Sequence, residues 1–351
     1  MIQVLLVARH DVNMVSAGRP DNGQHTLGRW PADSALRDPD KVAVLTGDTR
    51  LRYRELADRA AHLAGVLRAR HRPGDRIATL TGNSADHVVV FFACALAGLV
   101  LLPLSWRLSA REIAAQVAHA EPSLLLVEPA FTELAAAALA RLPAPPPTAP
   151  LGPRGIEAAD AVALPADPVS DDDPLLMIYT SGTAGRPKGV VLSHANCFWT
   201  NLSLSLAVPL HPEDVVLSIL PQFHVGGWNV QPLLALWVGA TVLLERTFDA
   251  GRVLRLIAGR RVTTMMGVPA NYLFLARHPD FATTDLSSVR SAVVGGAPMP
   301  EPLLRTWHDR GVGLVQGYGL TEAAPNVLCL PGAVARQKVG FAGRPYAYVD
   351  V

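Results

Sequence analysis

Three short stretches of this chain carry residue types suited to handling an anion. Residues 180–189 read TSGTAGRPKG: hydroxyls at Thr180, Ser181 and Thr183 and cations at Arg186 and Lys188, set among Gly182, Gly185 and Gly189. Successive backbone N–H groups in so glycine-rich a turn can form an anion nest, and the hydroxyls add donors suited to phosphate oxygens. The pattern is not a Walker A loop, which needs Gly-Lys-Ser/Thr; here Pro187 precedes Lys188 and Gly189 follows it. Taken alone, the stretch reads equally well as a flexible surface turn after a strand.

Two later stretches shift that balance. VGGAPMP (294–300) follows the β-branched run VRSAVVG (289–295), which places Gly295 and Gly296 where a strand ends. Open α/β sheets bind ligands beyond the carboxyl ends of their strands, and glycine there lets a flat ring lie against the backbone. VQGYGLTEAAP (315–325) again leaves an apolar run through glycines, now with Tyr318, Thr321 and Glu322. Tyrosine offers a stacking face, threonine a phosphate donor and glutamate a hard oxygen ligand for Mg²⁺. Each stretch alone is a weak signal; their order and chemistry together are not.

These turns need strands to hold them. Candidate strands are RIATLT (76–81), LVLLPL (99–104), SLLLV (123–127), VVLSI (215–219), TVLLE (241–245) and VRSAVVG (289–295). Between them, Tyr53 to Arg70 sets Leu56, Ala60, Leu63 and Leu67 on one helical face. Ser109 with Glu112 forms a capping box that opens a helix through about His119. Strands alternating with helices predict an α/β fold with a mostly parallel sheet covered on both faces. The uncharged run Val88 to Leu104 is short for a membrane span and is interrupted by Gly98 and Pro103. It reads as a buried helix from near Ser84 to a cap at Gly98, then a core strand.

In chain order this predicts a first αβ lobe over 1–142, a Pro/Ala/Asp-rich linker or excursion over 143–173, and a second lobe over 174–336 that carries the three motifs. Tyr346 to Val351 reads as a strand interrupted midway, which suggests a fragment. With 351 residues, 50% apolar and 17% charged, the chain can bury a sizeable core. A balance of 31 basic against 30 acidic side chains offers no field for nucleic acid or an anionic membrane. Cys94, Cys197 and Cys329 are far apart and form no CxxC, which fits a reducing cytoplasm. MIQVLLVARHD lacks a signal peptide's basic region and cleavage site.

YTSGTAGRPKG, GGAP and QGYGLTE together resemble the core motifs of the adenylate-forming superfamily, which includes acyl-CoA synthetases, adenylation domains and luciferases. The resemblance runs from YRELADRAAHLAGVLRARHRPGDRIAT to GFAGRP, nearly the whole chain. One departure is Ala184, where such loops usually carry a second threonine. The resemblance implies a layered αβαβα N-terminal domain, with two mostly parallel sheets flanked by helices and a small barrel that begins at 337–351 and is truncated. It implies that Thr180, Ser181, Gly182, Thr183, Gly185 and Lys188 surround the β- and γ-phosphates of ATP. Gly295, Gly296, Ala297 and Pro298 would pack against adenine, with Tyr318 and Gly319 across from them. Thr321 would contact the α-phosphate and Glu322 would hold Mg²⁺.

The implied reaction is attack of a carboxylate on the α-phosphorus of ATP, followed by transfer of the acyl group to the thiol of CoA or of a carrier protein. LPQFHVGGWN (220–229) resembles the segment lining the acyl pocket, with His224 near the α-phosphate and the carboxylate. For His224 a plain core role is the alternative. Val225, Gly226, Gly227 and Trp228, with Gly267, Val268 and Pro269, would shape that pocket; Trp228 reads equally well as core. No aspartate lies between Pro221 and Leu236 to meet an α-ammonium, so the expected acid lacks one and is fatty, aryl or polycyclic. The Tyr-x-Thr-Gly-Asp segment, the hinge and the C-terminal lysine of such enzymes do not occur by Val351, so the chain alone is expected to turn over poorly. A bare nucleotide-binding module is the rival reading, and the sequence leaves a homodimer open.

Overall fold

The computed structural model describes residues 25–152, 169–180, 187–335, 337–338 and 340–351. The strands are β1 Val42–Thr46, β2 Thr49–Arg52, β3 Arg76–Leu80, β4 Val100–Leu104, β5 Leu124–Val127, β6 Thr148–Pro150, β7 Pro174–Thr180 and β8 Lys188–Ser193. They continue with β9 Val215–Ser218, β10 Thr241–Leu244, β11 Thr264–Gly267, β12 Ser291–Val294, β13 Leu314–Gly319, β14 Asn326–Leu330 and β15 Arg344–Pro345. They pair into a six-stranded sheet, β6-β5-β3-β4-β7-β8, and a nine-stranded sheet, β15-β14-β13-β12-β11-β9-β10-β1-β2. Within the first, β6, β5, β3, β4 and β7 run parallel. Within the second, β13, β12, β11, β9, β10 and β1 run parallel.

Helix Ala85–Ala97 fills the space between the sheets. Ser84 caps it by accepting a hydrogen bond from the His87 N–H at 3.1 Å, and Gly98 closes it in the left-handed region at φ 65°. Phe91, Phe92, Val89 and Val90 on this helix are fully buried, in one core with Ile77 and Leu101 of the first sheet and Val44, Val216 and Val242 of the second. Each such side chain contributes about 1.5–3 kcal/mol through burial. The run from Val88 to Leu104 is therefore a core helix and strand, and no described helix is long and apolar enough to cross a membrane.

Strand pairing departs from chain order. The hairpin β1–β2 joins the nine-stranded sheet through β10, although most of that sheet lies beyond residue 214. Conversely, β7 and β8, which bracket the glycine-rich loop, complete the six-stranded sheet. A division at 142 and 174 thus cuts across both sheets. The stretch expected as a linker supplies an edge strand, β6, whose Thr148 and Ala149 pair with Leu125 and Leu126. The expected strand Tyr346–Val351 is also corrected. Pairing ends at Pro345, and Tyr348 lies at φ 64°, a turn conformation no strand residue adopts.

Candidate active site

Because β3, β4 and β5 are parallel, and β9 to β13 are parallel with one another, each sheet gathers the carboxyl ends of its strands along one edge. A cleft of about 420 Å³ lies where those two edges meet. From the six-stranded sheet it receives Asn83 after β3 and Trp106 and Arg107 after β4. From the nine-stranded sheet it receives His224 beyond β9, Arg246 and Phe248 after β10, Val268 after β11, and Gly295 and Gly296 after β12. Tyr318, Gly319 and Thr321 complete it at the end of β13.

Asn83 rivets the two edges together. Its Nδ2 donates to the main-chain oxygens of Leu220 and Glu245, each at 2.9 Å, and its Oδ1 accepts from the Gln222 N–H at 2.8 Å. Gln222 Oε1 in turn accepts from the Ser84 N–H at 3.0 Å. These bonds cross between the sheets and set the cleft's width.

The turn after β12 needs glycine: Gly296 sits at φ 78°, which an L side chain rarely adopts. At Gly319 a Cβ would lie 1.7 Å from the Pro325 oxygen, so any side chain would push this turn off its neighbour. Gly295 and Gly296 share the cleft's lining with Tyr318, whose side chain is 53% exposed and offers a face for a planar ring. Ala297 and Pro298 are exposed beyond this turn and do not line the cleft. On the remaining wall, Ile219, Val230, Met266 and Val293 are apolar.

His224 lies in the turn Pro221–His224, its N–H bonded to the Pro221 oxygen at 3.0 Å. Its ring is open to the cleft yet set down among the cleft's walls. That recession, and secondly the Arg107 guanidinium, lower its pKa from the ordinary value. The imidazole is therefore neutral at pH 7. Arg107 itself stands over the rings of Trp106 and Phe223, 5.2 and 5.7 Å from their centroids. Arg246 pairs with Glu128 at 2.7 Å. Burial raises the Glu128 pKa, but the Gly82 N–H, Arg246 and Thr81 outweigh it and hold the carboxyl below its ordinary value.

The phosphate-loop residues Ser181, Gly182, Thr183 and Gly185 lie outside the described residues. Their flanks do not: Thr180 ends β7, and Lys188 opens β8 opposite it and is exposed. Strand β8 contacts the one-turn helix Thr321–Ala323 that carries Glu322. Strand β8 therefore lies beside the β13 exit. Glu322 is exposed at the rim, and among the described residues no group of three His, Cys, Asp or Glu could hold a metal by itself. A lone carboxylate nevertheless fits Mg²⁺, which takes one or two carboxylates and completes its shell with substrate phosphates and water.

Four residues expected in the acyl pocket do not line it. Trp228 is 1% exposed, stacks on Phe91 at 4.8 Å and donates from Nε1 to the Gln222 oxygen at 2.6 Å. It is core, because the turn Gly226–Asn229 rotates it inward. Gly227 leaves no room for substrate, since a Cβ there would meet the Pro221 oxygen at 2.4 Å. Gly267 is buried against Tyr272 and Asn271, and Pro269 opens helix Pro269–Arg277. Val225, Gly226 and Val268 do line the cleft. Residues that sequence reasoning missed include Asn83, Trp106, Arg107, Arg246, Met266, Asn326 and Tyr346. The first four stand just beyond strands that the sequence does reveal, so their position was available as a signal.

Comparison with known proteins agrees with this architecture. A family model described as "AMP-binding enzyme" matches residues 32–351. The chain is 41% identical over 330 residues to a feruloyl-CoA synthase from an Amycolatopsis species, covering 93% of this chain and 65% of that protein. It is 37% identical to an indoleacetate–CoA ligase from Aromatoleum aromaticum, covering 91% of this chain and 64% of the relative. It thus spans a little under two thirds of these relatives' length. Among solved structures, the inhibitor-bound N-terminal domain of FACL13 from Mycobacterium tuberculosis superposes with a TM-score of 0.85 at 30% identity, covering 92% of this chain and 82% of that one. With two packed sheets, a cleft at their joined carboxyl edges and a family match over nearly its whole length, the chain belongs to the AMP-binding enzyme family.

Proposed function

We propose that the protein activates a carboxylic acid with ATP, forming an acyl-adenylate and pyrophosphate, and that the full-length enzyme then transfers the acyl group to CoA. The reading rests on one observation. The glycine turns suited to a nucleotide and the apolar wall suited to an acyl group open on the same cleft, with His224 and Thr321 among its lining residues.

A carboxylate is a poor electrophile because its charge repels nucleophiles. In the proposed reaction its oxygen attacks the α-phosphorus, forming a P–O bond while the bond to the bridging oxygen breaks and pyrophosphate leaves. The protein's task is to align two anions and to offset charge on the five-coordinate phosphorus. Adenine lies between the Gly295–Gly296 turn and the Tyr318 ring, Thr321 donates to the α-phosphate, and Lys188 with Thr180 and the loop between them holds the β- and γ-phosphates. Glu322 would hold Mg²⁺, which would supply charge neutralisation on those phosphates. His224, neutral at pH 7, positions the carboxylate; an acid is already deprotonated there and needs no base. In the second step the thiol sulfur bonds to the acyl carbon, the bond to AMP breaks, and the thiol proton goes to solvent.

The acid fits the apolar wall of Ile219, Val230, Met266 and Val293, and among the described residues no acidic side chain lines the cleft to meet an α-ammonium. The feruloyl and indoleacetate relatives make an aryl acid the first to test. The experiment is hydroxylamine trapping of the adenylate over a panel of carboxylic acids with the full-length protein. Acid-dependent hydroxamate with ATP is expected. ATP hydrolysis without hydroxamate from any acid would overturn the assignment.

A further inference from the structure

Arg107 stands on the cleft's lining just beyond β4 and belongs to none of the motifs read from the sequence. It is exposed, and its guanidinium lies 5.2 Å from the Trp106 ring centroid and 5.7 Å from that of Phe223. Trp106 in turn stacks on Phe131 at 5.8 Å and meets Phe223 edge-on at 6.3 Å. The aromatic faces hold the cation by attraction, without using any of its N–H donors. Among the described residues no carboxylate pairs with Arg107, and its side chain donates to no protein acceptor.

The charges on the lining do not cancel. The other guanidinium there, Arg246, is already met by Glu128 at 2.7 Å. Among the described residues no acidic side chain lines the cleft, so Arg107 leaves it with an uncompensated positive charge. Phe223 joins that charge to His224. Its ring packs on the imidazole at 4.7 Å, and the guanidinium's field is one of the two causes that keep the imidazole neutral. A field felt by the imidazole is felt equally by an anion resting against it. In the reaction proposed above, the triphosphate is met by Lys188 and the phosphate loop. The carboxylate has only His224, which carries no charge.

We propose that Arg107 captures the acid: its free N–H groups pair with the carboxylate as it settles beside His224 and hold it there against repulsion from the triphosphate. This rests on the acid-activation reading above. A guanidinium suits the task because its planar fork can meet both carboxylate oxygens. Forming the bond to phosphorus removes the carboxylate's charge, so the pair is made with the acid and not with the acyl-adenylate.

The test is hydroxamate formation by the full-length protein, with hydroxylamine in place of CoA so that no phosphate of the thiol substrate takes part. Wild type, Arg107→Gln and Arg107→Lys are compared using whichever of cinnamate, 4-hydroxycinnamate, indoleacetate and octanoate the wild type uses best. Arg107→Gln should raise the KM for that acid by about tenfold or more, as expected for a lost charge-assisted pair. Its KM for ATP should stay within about twofold, and its melting temperature within about 2 °C. Arg107→Lys, which keeps the charge, should return the acid KM to within about threefold of wild type. The primary amide of the same acid, an uncharged competitor, should inhibit wild type and Arg107→Gln within about twofold of each other. An unchanged acid KM in Arg107→Gln overturns the proposal, as does a rise confined to the KM for ATP. An equal loss of amide binding also overturns it, since that would make Arg107 part of the wall and not a partner of the charge. If none of the four acids yields hydroxamate with wild type, the acid-activation reading itself fails, an outcome distinct from these.

Discussion

The Asn83 side-chain amide donates to the Glu245 main-chain oxygen at 2.9 Å, tying the end of β3 in one sheet to the end of β10 in the other. With its bonds to Leu220 and Gln222, this one side chain satisfies three main-chain groups at the seam that bounds the cleft. Asn83→Ala should cost about 2–4 kcal/mol, since it strands buried donors and acceptors without filling their place. Urea denaturation measures this. Activity should fall further than the fraction unfolded explains, because both walls of the cleft lose their common anchor.

Glu322 is exposed and stands clear of the core, so Glu322→Ala should leave the melting temperature within about 2 °C. Hydroxamate formation at saturating ATP should nonetheless drop by about a hundredfold or more, as expected when charge stabilisation at a developing anion is lost. Full activity in this variant would rule out the metal role.

Trp228 makes the opposite case. Buried against Phe91 and edge-on to His87 at 5.1 Å, it should lose about 3–5 kcal/mol of stability as Trp228→Ala. The residual folded protein should rank acids as the wild type does. A changed acid preference with unchanged stability would return Trp228 to the pocket wall.

Acid sensitivity follows from two buried imidazoles. Burial lowers His87 to about 3 and His194 to about 4, against an ordinary value of 6.5. The unfolded chain takes up these protons below about pH 6.5, while the folded protein resists until pH 4 and 3. This contribution is therefore present in full above pH 6.5 and is lost as pH falls from there toward 3. At pH 5.5 each imidazole should cost on the order of 1 kcal/mol relative to pH 7.5. Glu128 and Asp214, whose pKa values are lowered, act only below their unfolded range and do not offset this. Denaturation midpoints at pH 7.5 and 5.5 should differ accordingly, and His87→Gln should shrink the difference by about half.

How far the sequence revealed this arrangement depended on whether the signal was local. Ser84 and Gly98 cap their helix through contacts within four residues, and the capping box at Ser109 and Glu112 is equally short-range, so both were legible. So was the placement of Gly295, Tyr318 and Thr321 at strand ends, because glycine and hydroxyl residues follow their strands directly. Strand β11, Thr264–Gly267, carries two methionines and no alternation, and only its pairing with β9 and β12 makes it a strand. The bonds of Asn83 span 137 and 162 residues, and that of Asn326 to Thr200 spans 126. No local pattern announces such contacts. The turn that carries Trp228 inward is local, but its stacking partner Phe91 lies far away in the chain and no pattern around residue 228 announces it.

The central claim is that nucleotide and acyl group share the cleft between the two sheet edges. A crystal structure with a non-hydrolysable acyl-sulfamoyl adenosine tests it most directly. The account predicts the adenine against Gly296 and Tyr318, the sulfamoyl group near Thr321 and His224, and the acyl chain along Val230 and Met266. A ligand bound with its two ends in separate sites, or away from these turns altogether, would contradict it.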